Sequence, residues 1–188
     1  MWRHLPNLIS LLRLLLVLPA FWLIEGHRYG EALGVAALAG ASDALDGFLA
    51  KRFGWQSRLG GLLDPLADKM LLLACFGGLV LVDALPVWLL VLVLGRDLLI
   101  VGGAVAYHNL VGPFDAAPTL LSKATTAVQI ACALLVLLQL AWLPQLPGAG
   151  VIVFLTAALT LASGLHYVVV WSLRAVRTLR ARPGEPPQ

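Results

Sequence analysis

Six long apolar stretches, separated by short polar segments, make up most of this chain. A helix that crosses a bilayer needs about 20 mostly apolar residues, so six of them would use about 120 residues of the 188. Hydrophobic residues make up 60% of the sequence and charged residues only 12%, whereas soluble domains average roughly 45–50% and 25%. This pattern predicts an all-α polytopic membrane protein with six transmembrane helices, and it excludes a soluble globular enzyme, a disordered protein and a nucleic-acid binder. The predicted spans are Asn7–Ile24, Gly30–Ala50, Gly61–Val82, Pro86–Tyr107, Thr119–Trp142 and Ala149–Leu173.

Basic residues are concentrated on one side of this predicted bundle. An even number of spans places both termini on the same side of the membrane, and cytoplasmic loops carry an excess of lysine and arginine. We therefore expect both termini in the cytoplasm, with residues 1–182 forming a single transmembrane domain and the proline-rich residues 183–188 forming a disordered tail. The basic residues on that side are Arg3, Lys51, Arg52, Arg58, Lys123, Arg174, Arg177, Arg180 and Arg182.

Four aspartates lie in or beside the second and third predicted spans. An unpaired charge in the bilayer core costs at least about 2.5–3.5 kcal/mol, so carboxylates there indicate a functional site. Asp43 and Asp46 are three residues apart, and Asp64 and Asp68 are four apart, so each pair shares one helix face. The short link 51–60 would place the two acidic faces side by side near the cytoplasmic surface.

The acidic cluster has the composition of a metal site. Ligand sets made only of oxygen favour hard cations such as Mg²⁺ or Mn²⁺. Four carboxylates suit two ions roughly 3.5–4 Å apart, the arrangement that many enzymes use for phosphoryl transfer. Lys51, Arg52 and Arg58 lie beside the cluster and could bind a diphosphate, while Gly47 and Gly60 would let a nucleotide approach the backbone closely.

Two other classes of membrane protein also use intramembrane aspartates. An ion-coupled transporter would explain the carboxylates but gives no reason for the small residues at Gly47, Ala50 and Gly60. A membrane prenyltransferase also uses aspartate pairs with Mg²⁺ and a diphosphate, but it has more spans and its aspartate motifs lie farther apart. The spacing therefore favours transfer from a nucleotide diphosphate.

The segment from Asp43 to Asp68 has the pattern D-x-x-D-G-x-x-A-K, eight residues, G-x-x-x-D-x-x-x-D. This pattern resembles the signature of the CDP-alcohol phosphotransferases, in which arginine stands at the position of Lys51. Lysine keeps the charge but loses the bidentate fork of arginine, and Arg52 follows directly. The segment from Pro6 to Arg13 also resembles the opening of the members that synthesise glycerophospholipids.

The resemblance implies a fold, a reaction and a set of site residues. The fold is a six-helix membrane bundle with a polar cavity open to the cytoplasm, usually assembled as a dimer, so we expect a homodimer in a bacterial inner membrane or an equivalent energy-transducing membrane. In the implied reaction an acceptor hydroxyl attacks the phosphorus of CDP-diacylglycerol that bears the diacylglycerol, and CMP leaves. The implied metal ligands are Asp43, Asp46, Asp64 and Asp68, with Asp68 also the general base, and the implied nucleotide contacts are Asp46, Gly47, Lys51, Ser57 and Gly60.

A second block, from Pro118 to Gln129, indicates the acceptor. It resembles the eukaryotic-type cardiolipin synthases, with Thr125 in place of an asparagine. In those enzymes the acceptor is phosphatidylglycerol, whereas the related phosphatidylglycerophosphate synthases use glycerol 3-phosphate. We expect phosphatidylglycerol, with glycerol 3-phosphate as the alternative.

Both acceptors carry a phosphate, so a cation is needed in either case. Arg13, Arg96 and Lys123 are the cations in or near the membrane that could bind it. Arg96 could instead form an ion pair with Asp97, and Lys123 could instead extend to the membrane surface.

Overall fold

The residues that the structure describes form six successive α-helices, as the apolar stretches predict. The structure is a computed structural model, and it describes residues 5–53, 60–110, 112, 119–143 and 149–180. No strand occurs in these ranges, so the predicted all-α class is confirmed. Side chains are described for residues 11–42, 66–109, 112, 119–143 and 150–174. The helices are α1 Leu5–Glu25, α2 Tyr29–Phe53, α3 Gly60–Leu81, α4 Val87–Leu110, α5 Leu120–Trp142 and α6 Ala149–Arg180.

The last helix is longer than the predicted span. α6 continues to Arg180, whereas the apolar stretch ends at Leu173. The added segment, residues 174–180, contains no proline or glycine, and five of its seven residues are arginine, leucine or alanine, which favour helix. The helix therefore extends past its apolar part, because a span prediction follows hydrophobicity and not helix propensity. The predicted tail 183–188 lies outside the described residues.

Among the residues that the structure describes, three helical stretches are long and apolar enough to cross a membrane: Val87–Asn109, Leu120–Trp142 and Gly150–Arg174. Large apolar side chains on α4 and α6, including Leu98 and Phe154, are exposed on the surface of the bundle, as expected for contact with lipid. The chain is therefore a membrane protein. That α1, α2 and α3 also cross the membrane stays a prediction.

The six helices pack as two groups of three. α1 contacts both α2 and α3, while α4 and α5 each contact α6. The two groups meet where α2 contacts α5 and where α3 contacts α4 and α5. The apolar core lies at the end of the bundle that holds the α1–α2 and α3–α4 turns, with Ile24, Phe76, Leu79, Leu89 and Leu137 fully buried. The opposite end, where α1, α3 and α5 begin, holds the polar residues described below.

The α1–α2 and α3–α4 turns have the same backbone conformation. His27 and Asp83 adopt positive φ angles of 57° and 56°. The amide of each of these residues and the amide of the next residue both donate to carbonyls of the preceding helix, the arrangement that often ends a helix. The Arg28 amide donates to the Leu23 carbonyl at 2.8 Å, and the Ala84 amide donates to the Leu79 carbonyl at 2.8 Å. These turns make α1 antiparallel to α2 and α3 antiparallel to α4.

The contact between α4 and α6 depends on the absence of a side chain at Gly103. A Cβ atom there would lie 2.7 Å from Cζ3 of Trp171, whereas a Cβ at Gly102 would have nothing within 4 Å. We expect Gly103→Ala to destabilise the protein by about 1–3 kcal/mol, as overpacking usually does. Thermal unfolding in detergent measures this, with Gly102→Ala as the matched control that should not lower the midpoint. Equal midpoints for the two variants would contradict the close packing.

Candidate active site

The backbone places the two acidic pairs on helices, as their spacing requires. Asp43 and Asp46 lie on α2, and Asp64 and Asp68 lie on α3, so each pair shares one face of its helix. Gly60 is the first residue of α3. Ser57 lies outside the described residues, and so do the side chains of the other predicted residues from Asp43 to Asp64. The meeting of the four carboxylates therefore stays a prediction. The predicted residues with a described helical backbone but no described side chain are Asp43, Asp46, Gly47, Lys51, Gly60 and Asp64.

Asp68 forms an ion pair with Arg13. Nη1 of Arg13 donates to Oδ1 of Asp68 at 2.5 Å. The Arg13 side chain is 1% exposed and the Asp68 side chain is 41% exposed. The pair joins α1 to α3 across 55 positions of sequence. The structure thus brings together the predicted general base and one of the three cations predicted to bind the acceptor.

Arg13 and Asp68 lie at one end of a cavity of about 440 Å³. Its walls come from α1, α2, α3 and α5, and away from the charged side chains they are mainly apolar. A cavity with one charged end and an apolar remainder suits an amphiphilic ligand whose polar group lies at Asp68. The charged lining residues are Arg13, Asp68 and Lys69, and the apolar ones are Ala36, Ala37, Gly40, Ala41, Leu71, Leu72, Cys75, Ile130, Ala133 and Leu134.

Arg96 lies in a buried polar cluster between α4, α5 and α6. Its Nη1 donates to Oδ1 of Asp97 at 2.7 Å. Its Nη2 donates to Ser122 Oγ at 2.5 Å and to Ser163 Oγ at 2.9 Å. The alternative expectation for Arg96, an ion pair with Asp97, is therefore present in the structure. These protein contacts hold the guanidinium in place within the bundle.

Lys123 lies in the first turn of α5 with its side chain exposed. This turn is capped by Thr119, whose Oγ1 accepts from the Ser122 amide at 3.2 Å. The Thr119 amide in turn donates to the Tyr167 hydroxyl on α6 at 3.4 Å. The cap fixes where α5 begins, and it leaves Lys123 at the surface of the helix.

Lys69 is the charged residue of the cavity that the sequence did not single out. It follows Asp68 on α3, lines the same cavity, and forms an ion pair with Asp97 on α4. The sequence feature that could have indicated a role for Lys69 is its position directly after Asp68, the last aspartate of the motif. Neighbouring residues on a helix point about 100° apart, so this position alone did not show that Lys69 faces the cavity.

The chemistry of the donor set fits a divalent metal. Among the side chains that the structure describes there is no cluster of three or more histidine, cysteine or acidic residues, and three of the four motif aspartates fall outside that search. Asp68, which the structure describes, offers carboxylate oxygens, the ligand type that Mg²⁺ and Mn²⁺ prefer. A carboxylate has about four lone-pair sites, so its contact with Arg13 is compatible with metal ligation.

Comparison with known proteins gives a consistent result. The family model of the CDP-alcohol phosphatidyltransferases matches residues 3–165. The cardiolipin synthase (CMP-forming) of Rattus norvegicus is 38% identical over 141 residues, which are 66% of this chain and 47% of the rat protein. That of Streptomyces coelicolor is 41% identical over 112 residues, which are 55% of this chain and 52% of that protein.

A relative named for a different activity is also similar. The chloroplastic CDP-diacylglycerol–glycerol-3-phosphate 3-phosphatidyltransferase 1 of Oryza sativa subsp. japonica is 48% identical over 102 residues, which are 54% of this chain and 31% of the rice protein. The matched region thus covers about a third to a half of the length of these three relatives. Members of the family generally use divalent metal ions. Because the family model covers most of its length, this chain belongs to the CDP-alcohol phosphatidyltransferase family.

Proposed function

We propose that this chain is a metal-dependent phosphatidyltransferase that moves the phosphatidyl group of CDP-diacylglycerol to the hydroxyl group of an acceptor and releases CMP. The observation that carries this proposal is the position of Asp68 at the charged end of a largely apolar cavity. A carboxylate at that end can reach a reacting headgroup while the apolar walls contact a lipid chain. Family membership supports the same reaction class.

In the proposed reaction Asp68 acts as general base. Its carboxylate takes the proton of the acceptor hydroxyl, and the hydroxyl oxygen attacks the phosphorus that bears the diacylglycerol. The new bond joins the acceptor oxygen to that phosphorus, and the phosphorus–oxygen bond to CMP breaks, so that CMP leaves with the bonding electrons. Arg13 holds the Asp68 carboxylate through their 2.5 Å contact and so orients the base.

The remaining motif residues hold the metals and the nucleotide. We assign two divalent ions, Mg²⁺ or Mn²⁺, to the motif aspartates. When bound, such ions would neutralise the diphosphate oxygens and the charge that develops on CMP. The proposed metal ligands are Asp43, Asp46, Asp64 and Asp68, and the proposed nucleotide contacts are Asp46, Gly47, Lys51, Ser57 and Gly60.

Phosphatidylglycerol is the acceptor that we favour, which would make the chain a cardiolipin synthase. The relatives from rat and Streptomyces carry that name, and the apolar cavity suits a lipid acceptor. The rice relative supports glycerol 3-phosphate as the second candidate. Of the three cations predicted to bind the acceptor, Arg13 lines the cavity, Arg96 is buried among its protein contacts, and Lys123 lies at the surface of α5.

We place the site at the cytoplasmic face of a bacterial inner membrane or an equivalent energy-transducing membrane, with both termini on that side. The positions of the basic residues support this orientation. Residues 1–182 would form one catalytic transmembrane domain, which we propose to assemble as a homodimer.

The proposal is tested with purified protein and labelled CDP-diacylglycerol. Glycerol 3-phosphate, phosphatidylglycerol, inositol phosphate and serine are offered in separate reactions, and CMP and the labelled lipid are measured. We expect CMP and cardiolipin from the reaction with phosphatidylglycerol. Phosphatidylglycerophosphate from the reaction with glycerol 3-phosphate would favour the second candidate, and no CMP release with any acceptor would contradict the transfer reaction.

The same assay tests the metal. We expect EDTA to stop CMP release, because the diphosphate oxygens would lose their counter-charges, and added Mg²⁺ or Mn²⁺ to restore it. Turnover that persists after chelation would contradict the metal site while leaving the transfer reaction intact.

A further inference from the structure

Lys69 is fixed at the cavity by a partner on another helix. Its ammonium forms an ion pair with Oδ2 of Asp97 on α4, while its side chain is 42% exposed and lines the cavity that holds Asp68. A free lysine side chain samples many rotamers, and ordering one costs up to about 1.5–2 kcal/mol. The ion pair with Asp97 has already restricted this lysine before any ligand binds.

Asp97 is itself held by a second cation. Arg96 donates from Nη1 to Oδ1 of Asp97 at 2.7 Å, so the two oxygens of one carboxylate serve two different cations. Arg96 is in turn fixed by Ser163, which accepts from Nη2 at 2.9 Å and from Nε at 3.3 Å. The order of contacts is therefore Ser163, Arg96, Asp97, Lys69, and it runs from the buried α4–α6 interface to the cavity.

The cluster of Arg96, Asp97 and Lys69 carries an excess of positive charge. Arg96 and Lys69 share one carboxylate, so the three groups carry a net charge of about +1. An ammonium has three N–H donors, and Asp97 is the one partner that the described residues provide for Lys69. The Lys69 ammonium can therefore donate further hydrogen bonds on the side that lines the cavity, and an anion bound there would accept them.

We infer that Lys69 binds the phosphate group of the acceptor, and that Asp97 and Arg96 are positioning residues that hold Lys69 in place. This inference rests on the proposed function. The ligand chemistry is a phosphate ester that also bears a hydroxyl, either a monoester such as glycerol 3-phosphate or the diester of phosphatidylglycerol. With the phosphate on Lys69, the acceptor hydroxyl lies at the end of the cavity where Asp68 can take its proton.

The alternative is that the ion pair of Lys69 with Asp97 only stabilises the packing of α3 against α4. A purely structural role would lower stability and turnover without a preference for one substrate, whereas a phosphate contact would raise the KM of the acceptor alone. The test therefore separates the KM of the acceptor from the KM of CDP-diacylglycerol. It uses the full chain in detergent–lipid micelles with whichever of the two acceptors the wild-type protein accepts.

We expect Lys69→Gln to raise the KM of the acceptor by about 10- to 100-fold, the usual loss for one charged hydrogen bond. The KM of CDP-diacylglycerol should change by less than about twofold, because the nucleotide is held by other residues. Lys69→Arg should recover most of the acceptor affinity, since it restores the charge. Arg28→Gln, which alters an exposed arginine at the other end of the bundle, is the control and should change neither constant.

Asp97→Asn tests the positioning role. It should raise the KM of the acceptor in the wild-type background but add little in the Lys69→Gln background, because both changes remove the same contact. Additive effects, or a uniform loss of turnover and thermal midpoint with both KM values unchanged, would overturn the inference. A wild-type protein that transfers to neither acceptor would instead contradict the proposed function.

Discussion

Replacing Asp68 by asparagine is expected to lower the rate of CMP release from CDP-diacylglycerol by about 10²- to 10⁴-fold, the usual contribution of a general base. The amide has nearly the same shape as the carboxylate, but it cannot take up the acceptor proton. It also removes the charge that a divalent ion would bind. The measurement is steady-state CMP release at saturating substrate, with the thermal midpoint recorded for the same preparation.

Asp83→Asn is the matched control for this substitution. Asp83 is exposed in the α3–α4 turn at the other end of the bundle, and asparagine tolerates its positive φ angle of 56°. This control should leave the rate unchanged. Full turnover by Asp68→Asn in a folded protein would refute the assignment of Asp68 as the base.

Removing the charge of Arg13 is expected to give the largest loss of stability. Breaking a buried ion pair by removing one partner costs about 3–5 kcal/mol, and the 41% exposure of Asp68 places Arg13→Met near the lower end of that range. The variant would lose one ion pair between α1 and α3 and leave the Asp68 carboxylate without the Arg13 guanidinium. The free energy of unfolding in a denaturant series in detergent measures this loss.

Two further variants test whether this loss comes from the ion pair. Arg28→Met makes the same change at an exposed pair, in which the Arg28 and Glu31 side chains are 61% and 57% exposed, and such pairs contribute about 0–1 kcal/mol. The double variant Arg13→Met/Asp68→Asn should recover part of the stability, because the carboxylate that Arg13 neutralises is then also gone. Strictly additive losses would mean that Arg13 stabilises the bundle by packing alone.

Helix content and helix limits followed directly from the sequence. Apolar runs of bilayer length and the turns after Glu25 and Leu81 place the helices within a few residues of their positions in the structure, except at the end of α6, because both signals are local along the chain. The predicted sixth span agrees with the apolar stretch Gly150–Arg174, and the helix continues beyond it for a reason that is also local. Hydrophobicity stops at Leu173, but helix propensity continues to Arg180.

The contacts of the charged residues could not be read from the sequence. Arg13 and Asp68 are 55 positions apart, and Lys69 and Asp97 are 28 apart. No local pattern says which face of one helix meets which face of another. For this reason the sequence predicts the same role, binding the acceptor phosphate, for Arg13, Arg96 and Lys123. In the structure their environments differ: Arg13 forms an ion pair with Asp68, Arg96 forms one with Asp97, and Lys123 is exposed.

Hydrophobicity and helical periodicity act over a few turns of one segment. The all-helical membrane class, the approximate limits of the helices and the spacing of the four aspartates could therefore be predicted without any tertiary information. Three relations became visible in the packed bundle: Arg13 pairs with Asp68, Asp97 pairs with Lys69 at the cavity, and the cavity is apolar beyond its charged end. Those relations depend on how separate helices pack together. A buried charge must find its counter-charge wherever the fold brings one within reach.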